Sequence, residues 1–253
     1  MLSGAARAQT RDENVAACEG NDAQVAITAC TALIQSGQED PSNVEAEYLM
    51  RSDAYKRAGL FDQALADTNQ ALALVPNDSD AYVDRGNVYK NKGQFDLALK
   101  DYDQGVRLNP NSAVAFYDRG DFFLDRRQYA RAVQDDDQAI RLKPDYASAF
   151  DNRCFGRAVL GRLPQALADC NEAVRLAATA NHYDSRGFVY LKMKNYKAAI
   201  ADYDSALQLD PKMDSSFYGR GLAKRATGDK AGGDSDIHAA EAITPDIAAQ
   251  FGK

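Results

Sequence analysis

The chain has 253 residues, of which 45% are hydrophobic, and this apolar content excludes a disordered polypeptide. Its 30 lysines and arginines stand against 37 aspartates and glutamates, so the net charge of -7 disfavours a nucleic-acid partner, because an acidic protein repels a phosphate backbone. No run reaches the roughly 18 consecutive apolar residues that a membrane span requires.

The opening residues are similar to the end of an export signal. Ala6-Arg7-Ala8 has the small-x-small form after which signal peptidases cut, but the apolar stretch that should precede it is missing. We interpret residues 1–10 as the remnant of a clipped signal. A short disordered start is the alternative that these residues leave open.

Residues 11–44 are expected to form a degenerate helical hairpin followed by a linker. The run at 26–31 is similar in residue type to the run at 166–171, which lies in a clear helical pattern. Gly37 and Pro41 interrupt the pattern, so we place the linker at 36–43.

A repeat organises the chain from residue 45 to residue 245. Prolines recur at Pro76, Pro110, Pro144, Pro211 and Pro245, spaced by 34, 34, 67 and 34 residues, with one proline lost at Ala178. A fixed period of this size is typical of solenoid proteins. Alignment on these prolines gives six repeats, which begin near Glu45, Ser79, Ala113, Ala147, Ala180 and Asp214.

Within each repeat, residue types return at the same places, counted from the first residue of the repeat. Small residues at places 8, 20 and 27 let two helices approach closely, and aromatic residues at places 4 and 17 fill the space beside them. Glycines suited to a tight turn lie between two apolar-periodic runs, and the proline stops the second run. Each repeat is therefore predicted to be an antiparallel helical hairpin.

The second repeat shows the pattern most fully. Its pattern residues are Tyr82, Arg85, Gly86, Tyr89, Gly93, Phe95, Ala98, Tyr102, Gly105 and Pro110. They resemble a tetratricopeptide repeat, with tyrosine in the place that often holds tryptophan. The resemblance implies an all-α, right-handed solenoid of helix-turn-helix repeats. It also implies that the first helices line a concave groove that binds peptides or protein segments.

The two ends of a solenoid must cover its outermost apolar faces. In the sixth repeat, Lys224 and Lys230 replace aromatic residues, and Ile247 and Phe251 follow four residues apart. We therefore expect residues 246–253 to form a C-terminal cap.

Two pairs of cysteines are candidates for disulfide bonds. Cys154 and Cys170 lie at places 8 and 24 of one hairpin, equally far from the turn, so antiparallel helices bring them to the same height. Cys18 and Cys30 straddle a turn signal less symmetrically. Four free thiols packed as small hydrophobic side chains are the alternative. Two pairs within hairpins favour an oxidising compartment, namely the periplasm or exterior of a bacterium.

Arginine stands at place 7 and aspartate at place 23 of every repeat. Because a catalytic charge would not recur six times at one pitch, we predict a structural ladder in which each arginine hydrogen-bonds an aspartate of its own or the neighbouring hairpin. The ladder arginines are Arg51, Arg85, Arg119, Arg153, Arg186 and Arg220, and the ladder aspartates are Asp67, Asp101, Asp135, Asp169, Asp202 and Asp236.

Opposite charges replace two aromatic residues in successive hairpins. Asp136 stands where Tyr102 and Tyr203 stand, and Arg157 stands where Tyr89 stands. We hypothesise a compensating ion pair between them. The alternative is that Asp136 points to water.

The resemblance assigns the groove to places 2, 5, 9, 12 and 13. In the first two repeats these places are mixed and mostly polar, whereas later they become aromatic, apolar and acidic, which favours a hydrophobic and basic segment. The alternative is that these rings pack between helices and leave little open surface. The candidate groove residues are Tyr117, Asp121, Leu124, Asp125, Asp151, Phe155, Asp184, Phe188, Leu191, Tyr218 and Leu222.

No catalytic constellation is expected. His182 and His238 lie more than 50 residues apart without a nucleophile placed beside either, and the cysteine spacings are not those of zinc sites. We therefore expect no cofactor, no metal and no enzyme activity. The expected function is that of an interaction scaffold that binds a protein or peptide partner. The alternative is a structural protein that self-assembles as a homo-oligomer.

Overall fold

A computed structural model of the protein describes residues 10–37 and 40–251. These residues form fifteen α-helices and no strand, which confirms the all-α prediction. Residues 1–9 of the expected signal remnant at 1–10 and the last two residues of the expected cap lie outside the described residues. The helices are α1 Arg11–Cys18, α2 Ala23–Ser36, α3 Pro41–Arg57, α4 Phe61–Leu74, α5 Ser79–Asn91, α6 Phe95–Leu108, α7 Ala113–Asp125, α8 Tyr129–Leu142, α9 Ala147–Val159, α10 Leu163–Leu176, α11 Ala180–Lys192, α12 Tyr196–Leu209, α13 Asp214–Ala226, α14 Lys230–Ile243 and α15 Ile247–Phe251.

The linker expected at 36–43 is shorter than the sequence suggested. Helix α2 continues to Ser36, Gly37 ends it with a φ of 64°, and α3 begins already at Pro41. Proline is compatible with the first turn of a helix because that position needs no backbone N–H donor. The proline therefore starts the next hairpin instead of belonging to the linker.

The turn inside each hairpin requires one residue in the left-handed backbone region. Glycine supplies it in four repeats, with φ between 71° and 98° at Gly59, Gly93, Gly161 and Gly228. In the third and fifth repeats Arg127 and Lys194 adopt φ values of 56° and 59°. The same tight turn therefore forms in all six repeats.

The chain divides into two compact units, Met1–Arg119 and Gly120–Lys253, which we call the N-terminal and C-terminal units. Within each unit, consecutive helices pack against each other. First helices also touch the next first helix, as α3 touches α5 and as α9, α11 and α13 touch in turn. Each unit is thus built as an all-α solenoid of stacked helix pairs.

The core of a hairpin lies where places 8 and 24 face each other. A Cβ atom added to Gly86 would lie 2.9 Å from the ring of Tyr102, and one added to Gly187 would lie 2.9 Å from the ring of Tyr203. Both tyrosines are fully buried. The small residue at place 8 is therefore required by the ring opposite it.

The C-terminal end of the array is covered by α15. Its first residue, Ile247, is only 1% exposed, and α15 packs against α13. Burial of a large aliphatic side chain at this end contributes about 2 kcal/mol. The described part of the expected cap, Asp246–Phe251, thus covers the last first helix.

Candidate functional site

Arginine at place 7 and aspartate at place 23 of the same repeat form paired hydrogen bonds inside the hairpins. Arg186 donates to Asp202 from Nε at 2.7 Å and from Nη2 at 2.8 Å. The same two-point contact joins the pairs Arg51 with Asp67, Arg85 with Asp101, Arg153 with Asp169 and Arg220 with Asp236. The ladder arginine side chains are 14–20% exposed, so the bonds are shielded from solvent.

Each ladder arginine also reaches the preceding hairpin through Nη1. Arg85 donates to Asn69 at 2.9 Å, Arg119 to Asp103 at 2.9 Å, and Arg220 to Asp204 at 2.7 Å. These three acceptors stand at place 25, as do the acceptors of Arg153 and Arg186, whereas Arg51 donates to Thr31 of the N-terminal hairpin. One guanidinium therefore joins two consecutive hairpins, which fits a structural role rather than a ligand site.

The four cysteines form two bonds within hairpins. Cys154 bonds Cys170 with their Cα atoms 5.4 Å apart, and Cys18 bonds Cys30 with their Cα atoms 4.9 Å apart. All four side chains are at most 2% exposed. The bonds therefore lie inside the protein core.

The hypothesised ion pair between Asp136 and Arg157 is wrong. Arg157 instead donates from Nη1 to Asp169 at 2.7 Å and from Nη2 to Asp137 at 3.2 Å. Asp136 is fully buried, and neither of its carboxylate oxygens has a hydrogen-bond partner among the described residues. It faces Gly120 where other repeats place a tyrosine ring, so its direction is set by the hairpin core rather than by Arg157.

Burial has a strong effect on this carboxyl group. Burial, together with the negative charge of the adjacent Asp135, raises the pKa of Asp136 to about 9. At neutral pH the group is therefore protonated and uncharged.

Polar side chains link neighbouring first helices in the N-terminal unit. Ser52 donates to Asp84 at 2.7 Å, Lys56 forms an ion pair with the same carboxylate, and Asn87 donates to Asp118 at 3.2 Å. These bonds link neighbouring first helices. Two of the side chains involved, Lys56 and Asn87, stand at groove places.

The C-terminal unit has a different inner face, with a cavity of about 420 Å³. The cavity lies against α7, α9, α11 and the start of α13. It combines aromatic, aliphatic and charged side chains. Its lining residues are Leu124, Asp125, Arg127, Tyr129, Phe155, Val159, Asp184, Ser185, Phe188, Lys192 and Ser215.

Three aromatic rings form the centre of this cavity. The rings of Phe155 and Phe188 have centroids 5.6 Å apart, and the Tyr129 ring lies edge-to-face with Phe155 at a centroid distance of 6.3 Å. Phe188 packs against the buried cluster that contains the Cys154–Cys170 bond, whereas Phe155 remains 37% exposed. The disulfide-bonded hairpin thus supports an accessible ring.

Five of the candidate groove residues line the cavity, namely Leu124, Asp125, Phe155, Asp184 and Phe188. Four others, Asp121, Asp151, Tyr218 and Leu222, are half-buried on the same unit without lining it, and Tyr117 is half-buried in the N-terminal unit. Leu191 packs against the buried cluster of α12 and α13. For Leu191 the structure thus matches the alternative in which an apolar groove residue packs between helices.

The cavity also includes residues that the groove pattern did not single out. Lys192 and Ser215 stand at places 13 and 2, so the rule that selected the other groove residues also covers them. Arg127 and Tyr129 belong to the turn after α7 and the start of α8, outside that rule. They reach the cavity through the conformation of this turn, in which Arg127 adopts a positive φ.

Carboxyl groups at the start of α11 and α9 lie in a desolvated environment. Burial raises the pKa of Asp184 to about 6, although Ser216 donates a hydrogen bond of 2.5 Å to its carboxylate. Burial likewise raises the pKa of Asp151, while the nearby His182 acts in the opposite direction. These two groups titrate closer to neutrality than an ordinary aspartate does.

The two histidines have different surroundings. Nδ1 of His182 lies 2.6 Å from the carbonyl oxygen of Ala177, so this nitrogen donates its proton there, and His238 is exposed on α14. In the described part of the chain, no group of three or more His, Cys, Asp or Glu side chains is placed to hold a metal ion. None of the described helices is both long and apolar enough to cross a bilayer.

Comparison with known proteins gives matches at the level of the repeat and of the fold. The tetratricopeptide repeat model matches residues 79–112 and 185–213. A FAM10 family protein of Arabidopsis thaliana is 32% identical over 87 residues, which is 34% of this chain. The chain spans only 20% of the length of that relative.

Two solved structures are similar over most of the chain. PilF of Pseudomonas aeruginosa has a TM-score of 0.71 at 18% identity, covering 82% of this chain and 95% of that one. A tetratricopeptide repeat protein of Parabacteroides merdae has a TM-score of 0.69 at 20% identity, covering 95% and 94%. These similarities concern the fold.

Tetratricopeptide repeats are protein-interaction modules and are generally not enzymes. Two segments match the repeat model, and the other four repeats share its helix boundaries and its turn. The chain therefore contains tetratricopeptide repeats, a type of repeat that supports protein–protein interaction.

Proposed function

We propose that the C-terminal unit binds a peptide segment of a protein partner in its cavity, with an apolar side chain of that segment seated against Phe155 and Phe188. The single observation that carries the proposal is the exposed ring of Phe155 beside Phe188 inside a cavity of about 420 Å³. Accessible aromatic rings in a concave site are typical anchors for a partner side chain.

The contrast between the two units supports this location. In the N-terminal unit two groove side chains, Lys56 and Asn87, already bond a carboxylate on the next first helix. In the C-terminal unit the aromatic centre offers apolar surface whose burial stabilises a complex by about 25 cal/mol per Å². We therefore assign binding to the later repeats.

Selection from a phage-displayed library of random dodecapeptides tests the proposal. We expect a consensus with one apolar or aromatic position, and an affinity that falls at least about tenfold in Phe155→Ala and in Phe188→Ala. Leu209→Ala is the matched control, because Leu209 is a 56% exposed apolar residue on the second helix α12. Peptides that bind both Phe variants as tightly as the wild type would refute the proposed site.

Self-assembly as a structural homo-oligomer is the other candidate function. Helix α15, whose Ile247 is buried, packs against α13 and covers one end of the array, which does not favour self-assembly. Sedimentation velocity over a hundredfold range of concentration distinguishes self-assembly from peptide binding by a monomer. We expect the sedimentation coefficient of a monomer at every concentration. A sedimentation coefficient that rises with concentration would support assembly.

We also propose that the protein works in an oxidising compartment, the periplasm or exterior of a bacterium. Two buried disulfide bonds support this location, since reducing compartments rarely maintain them. Alkylation of free thiols in intact cells, followed by non-reducing electrophoresis, should detect no modified cysteine. Four alkylated cysteines would contradict the proposal.

A further inference from the structure

The cavity of the C-terminal unit has a charge polarity along α11. Asp184, Phe188 and Lys192 all line the cavity and stand four residues apart on this helix. Residues at this spacing share one helix face and are separated by about 6 Å along the axis. The face therefore presents a carboxylate, an aromatic ring and an ammonium group in order over about 12 Å.

The neighbouring helix α9 repeats the first part of this order. Asp151, Phe155 and Val159 stand at the same spacing, and Phe155 and Val159 line the cavity. Asp151 lies close enough to Asp184 for their charges to interact. The acidic end of the cavity therefore lies at the N-terminal ends of α9 and α11.

The basic end carries two cations that are available to a ligand. Lys192 rests over the ring of Phe188, with its Nζ atom 5.1 Å from the ring centroid, and it has no carboxylate partner among the described residues. Arg127 is exposed and likewise has no ion-pair partner in the described part of the chain. Asp125 lines the cavity on α7 and leaves this end with a surplus of one positive charge.

We propose that this cavity selects a partner segment by charge order: an apolar anchor flanked on one side by a basic residue and on the other by an acidic residue. This inference rests on the proposed function and specifies the chemistry of the partner. The basic residue pairs with Asp184 and the acidic residue with Lys192 and Arg127, while the anchor contacts Phe155 and Phe188. In a helical segment the flanking residues stand four positions from the anchor, and in an extended segment two positions, since both spacings span about 6 Å.

Synthetic peptides with a tryptophan anchor test this selection directly, because the protein contains no tryptophan and the emission belongs to the peptide alone. Two sets of four peptides share one neutral background. In one set the flanking residues stand four positions from the tryptophan, and in the other they stand two positions from it. Within each set the two flanking residues are Lys/Glu, Lys/Lys, Glu/Glu or Ala/Ala. We expect the Lys/Glu peptide of one spacing to bind about tenfold more tightly than its Lys/Lys and Glu/Glu counterparts.

The outcomes separate the inference from the proposed function. Equal binding of all four peptides, or tightest binding of Lys/Lys or Glu/Glu, would overturn the charge selection while keeping the anchor site. Failure of every peptide, including Ala/Ala, to bind would overturn both proposals.

A charge reversal provides a second readout. Lys192→Glu should move the preference from the Lys/Glu peptide to the Lys/Lys peptide by about tenfold, because it makes both ends acidic. Lys197→Glu is the matched control, since Lys197 is exposed on α12 and does not line the cavity. An unchanged preference in a Lys192→Glu protein with wild-type circular dichroism would overturn the inference.

Discussion

Cys154 and Cys170 face each other across the α9–α10 hairpin at the two places where Gly86 and Tyr102 meet in the α5–α6 hairpin. The disulfide bond thus stands in for a glycine–tyrosine contact. Both arrangements fill the space between the two helices, one with a disulfide bond and the other with a tyrosine ring. The disulfide bond occurs in the hairpin that carries Phe155.

Removal of this bond tests its contribution to stability. We expect Cys154→Ser with Cys170→Ser to lower the free energy of unfolding by about 3 kcal/mol, since the bond closes a loop of 16 residues. Cys154→Gly with Cys170→Tyr should regain part of this loss, because it creates the glycine–tyrosine contact found in the α5–α6 and α11–α12 hairpins. Urea unfolding measures the stability of both double variants. Equal stability would contradict the idea that a glycine–tyrosine contact can replace the disulfide bond.

A ladder arginine should contribute far more than an exposed ion pair. Arg186→Ala strands Asp202, which is 6% exposed, and we expect a loss of about 3 kcal/mol in the free energy of unfolding. Arg186→Lys should recover only part of this lost free energy of unfolding, because an ammonium group cannot make the two-point contact with the carboxylate. The control is Arg175→Ala, whose partner Glu172 lies on the helix surface, and we expect no measurable change there. Similar effects at both sites would contradict the structural ladder.

The buried Asp136 predicts an unusual pH dependence. Its pKa is about 9 in the folded protein against an ordinary 3.8, so the unfolded chain releases a proton that the folded protein keeps, and stability falls as pH rises between these values. We expect Asp136→Asn to remove this contribution and to raise the free energy of unfolding at pH 8 by on the order of 2–4 kcal/mol.

Urea unfolding at pH 5, 7 and 9 checks this expectation for Asp136→Asn. The exposed Asp145→Asn serves as the control and should follow the wild-type profile. A constant difference between wild type and Asp136→Asn across the three pH values would show that the carboxyl group does not titrate as described.

Peptide binding should depend on pH through Asp184. Its pKa of about 6 in the unliganded protein means that the carboxylate becomes neutral as pH falls below this value. We therefore expect the Lys/Glu peptide to bind about tenfold more weakly at pH 5 than at pH 7.5. Tryptophan emission titrations measure the affinity, and the Ala/Ala peptide should show no such change. An Asp184→Asn protein that retains the full pH dependence would exclude this group as the cause.

Much of the architecture could be predicted from residue types alone. Small residues at places 8, 20 and 27 and turn residues at a fixed pitch specify helix pairs, since the contacts involved lie within one hairpin and follow the helical period. The facing positions of Cys154 and Cys170 follow from the same local geometry. For the ladder arginines the sequence left open which hairpin supplies the aspartate, and in five pairs the structure shows that it is the arginine's own hairpin.

Contacts between hairpins could not be obtained in this way. The second bond of five ladder arginines to place 25, the choice of Asp137 and Asp169 by Arg157, and the approach of Arg127 and Tyr129 to the cavity all depend on how one hairpin stacks on the next. Periodicity along the chain specifies which face of a helix is buried. The distances between side chains on separate hairpins arise only when their backbones are packed, because small shifts in stacking decide which charged groups come within hydrogen-bond reach.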